Sequence, residues 1–206
     1  MDADAVELRV LGCLIEKQST TPDQYPLSLN SLRLAANQST NREPVVDYDE
    51  PTIRAALDRL GRRGWTRLTS GPGSRTAKFR HLLDEALRLT KSQVVLLAVL
   101  MLRGPQTVGE LRTRSERLYP FPSTDDVEFA LGELADRELV RQLPRRPGER
   151  EERWIQLLGG PATGLREPVQ RESGPVAETD ARDPDLEERV ARLERSVADL
   201  LERLGV

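Results

Sequence analysis

EPTIRAALDRLGRRGWTRLTSGPGSRTAKFR, residues 50–80, reads as one helix followed by two short strands around a Gly-rich turn. Ile53, Ala56, Leu57 and Leu60 fall at i, i+3, i+4 and i+7, which places all four on the buried stripe of a helix. The opposite face carries Arg54, Asp58, Arg59, Arg62 and then Arg63. Beyond the break at Gly64, Trp65–Thr69 and Ala77–Leu82 have the length and residue types of hairpin strands, joined through Gly71-Pro72-Gly73-Ser74. Helix, strand, basic turn and strand, in that order, predict the second half of a winged helix-turn-helix.

Charge supports that reading only once it is mapped along the chain. The net charge of −3 over 206 residues argues against a nucleic-acid binder. However, the excess acidity lies in residues 159–206, which hold seven Lys/Arg against eleven Asp/Glu. From Arg54 to Arg80 there are eight cations (Arg54, Arg59, Arg62, Arg63, Arg67, Arg75, Lys78 and Arg80) against Asp58 alone. Such a concentration is the electrostatic footprint of phosphate contact.

Upstream, Ala3–Lys17 is expected to form a helix burying Val6, Val10, Leu11, Leu14 and Ile15. Pro22 and Pro26 end it, and Ser28 is placed to cap a second helix holding Leu29, Leu32, Leu34 and Ala35. The polar connection Asn37–Val45 is longer than a turn between helices requires. Its Asn37, Asn41 and Arg42 are candidate loop contacts to bases, with bonding to their own loop as the competing role.

At this point a resemblance becomes specific. GCLIEKQSTTPDQYPLSLNSLRLAANQSTNREPV (12–45), GSRTAKFRH (73–81) and LMLRGPQTVGELRTRSERLYPF (100–121) resemble the YceH-like family of bacterial proteins. The likeness covers about residues 4–158 and leaves the tail outside. It implies two tandem winged-helix domains and a DNA-associated role, and brings no catalytic residues.

A second unit is visible without the family. A shift of 74 positions superposes Ile53, Ala56, Leu57 and Leu60 on Val127, Ala130, Leu131 and Leu134, and Arg67 on Arg141. Ahead of it, Val94–Leu102 is a helix apolar all round, and Val108, Leu111, Ser115 and Leu118 mark an amphipathic one. The outer face is not repeated, because Glu128, Glu133 and Asp136 stand where the first unit has Arg54, Arg59 and Arg62. Phosphates would repel such a helix. The second hairpin, with Arg141, Arg145, Arg146, Arg150 and Arg153 diluted by Glu149, Glu151 and Glu152, reads equally as a phosphate-grazing wing or a solvated turn.

Four Gly and three Pro between Gly159 and Asp183 mark a flexible linker. Leu186, Val190, Leu193, Val197, Leu200 and Leu204 then recur at spacings of 4, 3, 4, 3 and 4, with Leu at d and mostly Val at a. That pattern predicts a parallel two-stranded coiled coil making a homodimer, or an amphipathic helix folded back on its own domain.

The expected fold is therefore mainly α with small β-hairpins (α+β). Two tandem winged helix-turn-helix domains, 1–85 and 86–158, precede a linker at 159–183 and a coiled-coil helix at 184–205. Lone Cys13 excludes an intramolecular disulfide and suits a reducing cytosol, where it is expected to serve as a small core residue, with a redox sensor as the alternative. The acidic amino terminus lacks the pattern of a signal peptide, and the longest apolar run has nine residues, half a bilayer span. A cytoplasmic protein without membrane, metal or other cofactor is expected; no small-molecule effector can be read.

The expected function is a DNA-binding transcriptional regulator rather than an enzyme. No Cys/His cluster suits a metal, no phosphate-binding Gly loop precedes a helix, and His81 is the only histidine. Arg54, Arg59 and Arg62 would meet bases or phosphates in the major groove of duplex DNA, with Arg75, Lys78 and Arg80 on or beside the wing. Arg63 and Arg67 have pairing with carboxylates as an alternative. The competing class is an adaptor in which tandem winged helices dock proteins, as in accessory subunits of chromosome-organising complexes.

Overall fold

Polar caps, rather than apolar content, decide where most of the helices begin. In the computed structural model, which describes residues 3–69, 76–145, 148 and 150–160, Asp4 opens α1 (Ala5–Thr20). Its carboxylate accepts from Glu7 N while Glu7 accepts from Asp4 N, both at 2.8 Å, a capping box that shifts the start two residues beyond Ala3. Ser28 caps α2 (Leu29–Ala36) as its position predicts, and Asp49 caps α3 (Glu50–Arg62) with Pro51 in the first turn. Gly64, at φ +74°, ends α3 by entering the left-handed region.

The α3 stripe is as expected: Ile53, Ala56, Leu57 and Leu60 are all buried. So are their counterparts Val127, Ala130, Leu131 and Leu134 on α7 (Thr124–Asp136). In α2 the expectation fails at Leu34, which is 57% exposed; Ala36 is buried instead, on the same face as Leu32.

Three strands form the first sheet. β2 (Thr66–Leu68) and β3 (Lys78–His81) pair antiparallel with Arg67 opposite Arg80, and β1 (Leu27–Ser28) joins the far side of β3. The order is β1-β3-β2. The turn Gly71–Ser74 and Arg75 lie outside the described residues, as do Arg146, Glu149, most of the expected linker and the heptad segment from Leu186 to Leu204.

After a short α4 (Leu83–Leu87), α5 (Lys91–Arg103) is buried on every side from Gln93 to Leu102. The amphipathic α6 (Val108–Ser115) stops before Leu118, which lies in the following turn. β4 (Val140–Leu143) and β5 (Arg153–Gln156) make a second antiparallel pair, and Gln106 bridges to Trp154 as β1 does to β3. The described chain is thus a mixed α/β protein of seven helices and two small antiparallel sheets.

One apolar cluster runs through both halves. Its centre is the packing of α1 on α5, where Gly12 lets the helices approach: a Cβ there would lie 2.9 Å from Leu102 Cγ. Ala3 N donates to Leu158 O at 3.0 Å and Glu43 N to Leu102 O at 2.8 Å, so main-chain bonds tie the halves together as well.

Candidate nucleic-acid interface

α3 and the hairpin behind it hold the cations that the sequence singles out, but not in one state. Arg54, Asp58 and Arg62 lie one turn apart on the exposed stripe opposite Ile53 and Leu60. Arg67 on β2 and Lys78 on β3 are exposed too. None of these four cations makes an ion pair among the described residues, so all are open to an outside anion.

The other cations are engaged. Arg59 reaches Asp4 Oδ2 at 2.5 Å and stands 3.6 Å from Glu7, whose own side chain is buried. Arg63 lies 3.5 Å from the same carboxylate and covers the Trp65 ring with its guanidinium 5.7 Å from the centroid. Arg80 bonds Glu85 at 3.0 Å. Arg59 and Arg63 therefore fasten α3 to the first turn of α1. Arg75 lies outside the described residues.

Asn37, Asn41 and Arg42 tie down the loop that extends to Asp49. Asn37 donates to Tyr48 O at 2.8 Å and accepts from Tyr48 N at 2.9 Å. Asn41 accepts from Arg103 on α5. Arg42 is buried, forks onto both oxygens of Glu16 at 3.1 and 2.6 Å, and also donates to Ala35 O at 3.1 Å. Burial works against its charge, but Glu16 and Cys13 together outweigh that and raise its pKa. Asn37 thus bonds within its own loop, the competing role named for it, whereas Asn41 bonds α5, and Arg42 reaches α1 and α2 as well as Gln38 and Asn41.

On α7, Glu128, Glu133 and Asp136 are exposed as the pattern predicts, and between them Phe129 is 70% exposed. In the second hairpin Arg153 bonds Glu110 at 2.6 Å, whereas Arg141, Arg145 and Arg150 are exposed. Cys13 is buried and its thiol is pushed up to about 11 by burial, which leaves it inert at neutral pH. His81 is buried with Nε2 2.5 Å from Gln18 Oε1.

Sequence reasoning passed over Arg9. A lone cation inside the otherwise apolar run Val6–Ile15 was the available signal, apart from the capping Glu7. Its guanidinium is buried and donates only to main-chain carbonyls, Ala36 O at 3.0 Å and Pro44 O at 2.6 Å.

No group of three or more His, Cys, Asp or Glu among the described residues is arranged to hold a metal ion, and no described helix is long and apolar enough to cross a membrane.

The model of a family described as "Protein of unknown function, DUF480" matches residues 3–149. A UPF0502 protein of Stenotrophomonas maltophilia (strain K279a) is 48% identical over 202 residues, covering 98% of this chain and 92% of its own length. One from Shewanella loihica is 48% identical over 200 residues, covering 94% and 92%, and one from Geobacter sulfurreducens 46% over 198, covering 95% and 88%. These matches run into the tail, so the likeness extends beyond Leu158, where the sequence reading ended it.

Proposed function

Because the chain belongs to the DUF480 family, whose UPF0502 relatives match it over nearly its whole length, we propose one reading for the fold they share: two tandem winged helix-turn-helix units, the first of which binds duplex DNA. Helix, strand, helix, helix and hairpin, with the first strand added outside the third, is the winged-helix order, and α1 to β3 follow it. The run from α5 to β5 repeats it with the Gln106–Trp154 bridge in place of β1. The resemblance to the YceH-like family points the same way.

The observation that carries the DNA reading is the set of unpaired, exposed cations Arg54, Arg62, Arg67 and Lys78 on the groove helix and the hairpin beside it. Arg54 and Arg62 sit where a third helix meets the major groove, and Lys78 stands at the base of the wing. Arg59 and Arg63 hold that helix against α1 rather than contacting DNA. The protein acts as a transcriptional regulator in the cytoplasm.

Fluorescence anisotropy on a labelled duplex across a salt series tests this. Four phosphate contacts give a log–log salt slope of about −3 to −4. Arg54→Ala and Lys78→Ala should each flatten the slope by about 1, whereas Arg59→Ala should leave it unchanged. Absence of duplex binding at low salt by folded protein, or slopes indifferent to Arg54 and Lys78, would overturn the reading.

Phe129 favours a second reading for the other unit. A ring 70% exposed among carboxylates on α7 fits a protein-docking face, and makes the chain an adaptor if DNA binding fails. A Phe129→Ala variant that loses no partner from a pull-down would dispose of it.

A further inference from the structure

The outer faces of α3 and α7 are matched in spacing and opposite in charge. Arg54, Asp58 and Arg62 line the outer stripe of α3, and the positions 74 residues further on, Glu128, Gly132 and Asp136, line that of α7. Glu128 and Asp136 are exposed and, like Arg54 and Arg62, make no ion pair among the described residues. On each helix the two outer charges stand eight positions apart, about 12 Å along the axis. Laid face to face, the two stripes therefore form both opposite-charge pairs at once.

Phe129 gives the α7 face an apolar centre, its ring 70% exposed beside Glu128. A large exposed ring among carboxylates has the composition of a docking surface. With the helices parallel it falls opposite Ala55, and with them antiparallel opposite Gly61; both are exposed and small, so α3 has room for it. In either direction Asp58, the acid between the two arginines, falls opposite Gly132, where even an added Cβ would meet nothing within 4 Å. The one unfavourable charge on α3 thus faces a gap rather than a carboxylate.

Within one chain α3 packs on α1 and α2, and α7 on α5 and α6, which leaves both outer faces open. We infer that α7 of one copy docks on α3 of a second copy, with Phe129 held between two pairs of opposite charge. The match selects this occupant. Any basic partner would satisfy the charge, whereas the common spacing follows from α3 and α7 being built on one burial pattern. In a closed pair each copy offers both faces, so two such contacts form together. A helix-on-helix contact lies at the low end of interface sizes, below about 1,200 Å², so the association is transient and sensitive to salt. Duplex DNA, bound as proposed above, would meet the same Arg54 and Arg62 and compete with docking, but the docking does not depend on that reading.

Proximity between copies is the test, read with a short bis-maleimide and no nucleic acid present. One full-length chain carries Asp58→Cys and a second, distinguished by a size tag, carries Gly132→Cys; Cys13 is buried and does not compete. Mixed at low salt they should give the α3–α7 adduct, and about 1 M salt, which screens charges beyond about 3 Å, should suppress it. Arg54→Glu with Arg62→Glu in the first chain, or Glu128→Lys with Asp136→Lys in the second, should each cut the adduct about tenfold, because like charges then face one another. Mixing the two reversed chains should restore it. Phe129→Ala in the second chain should lower the yield with every charge in place. The heptad segment is common to all these variants and cannot produce that pattern. No adduct from folded chains of natural charge, a yield indifferent to salt, to reversal or to Phe129→Ala, or no recovery with both chains reversed would each overturn the inference. Failure of the duplex assay would leave the adduct unchanged.

Discussion

Replacing Arg42 with methionine removes the guanidinium while keeping much of the aliphatic stem, and so asks what the group itself contributes. Its side chain is fully buried and makes five hydrogen bonds, two to Glu16 and one each to Ala35 O, Asn41 O and Gln38 Oε1. Breaking a buried pair by deleting one partner costs about 3–5 kcal/mol, because the remaining charge stays desolvated. Glu16 is 15% exposed in its side chain, so water can partly rescue it and the lower end applies, about 3 kcal/mol. At roughly 2–4 °C per kcal/mol for a chain of this size, Tm should fall by about 6–12 °C. Urea melts followed by circular dichroism give the free energy directly, with an unchanged m-value showing that the two end states are comparable. Glu16→Gln in the Arg42→Met background should cost much less than in the wild type, a coupling of about 2 kcal/mol. A loss below about 1 kcal/mol, the value of a solvated ion pair, would refute the structural role and return Arg42 to the pool of surface cations.

Gly12→Ala sets better helix propensity, about 1 kcal/mol, against a Cβ placed 2.9 Å from Leu102 Cγ, an overpacking penalty of about 1–3 kcal/mol. A net loss of about 1 kcal/mol is expected in thermal melts, whereas Gly132→Ala on α7, with nothing within 4 Å, should gain up to about 1 kcal/mol. Equal effects at the two sites would count against the close approach of α1 and α5. His81 is held neutral: burial lowers its pKa, against the opposing pull of Asp84. The unfolded chain takes up that proton at about pH 6.5 and the native one only lower, so stability is complete above this range and falls as pH drops through it. His81→Gln should flatten this part of the urea-midpoint profile between about pH 7.5 and 5.5, and a profile identical to wild type would show that His81 does not drive it.

Periodicity revealed much of the fold because the burial stripe of α3 and its echo in α7 depend only on neighbours three and four residues away. Ser28 as a cap was legible for the same local reason. β1 was not, since two residues after Pro26 carry no period, and Leu34 was misplaced because an apolar side chain on a short helix does not announce its face. The candidate interface was legible as composition but not as state. Nothing between residues 54 and 80 reveals that Arg59 meets Asp4, 55 positions away, or that Glu7 stands beside Arg59 and Arg63. Arg42 and Arg9 were opaque likewise: whether a cation is solvated, paired or stranded is decided by which distant helix or loop folds over it.

The seam between α1 and α5 bears on how such a gene can be cut and rejoined. The two halves share a burial stripe, on α3 and α7, yet nine consecutive residues of α1 and ten of α5 are buried. A fragment severed near Leu89 would turn one of these oily flanks to water and aggregate, so transplants and chimaeras must carry both halves together. Neither half is built for an independent life.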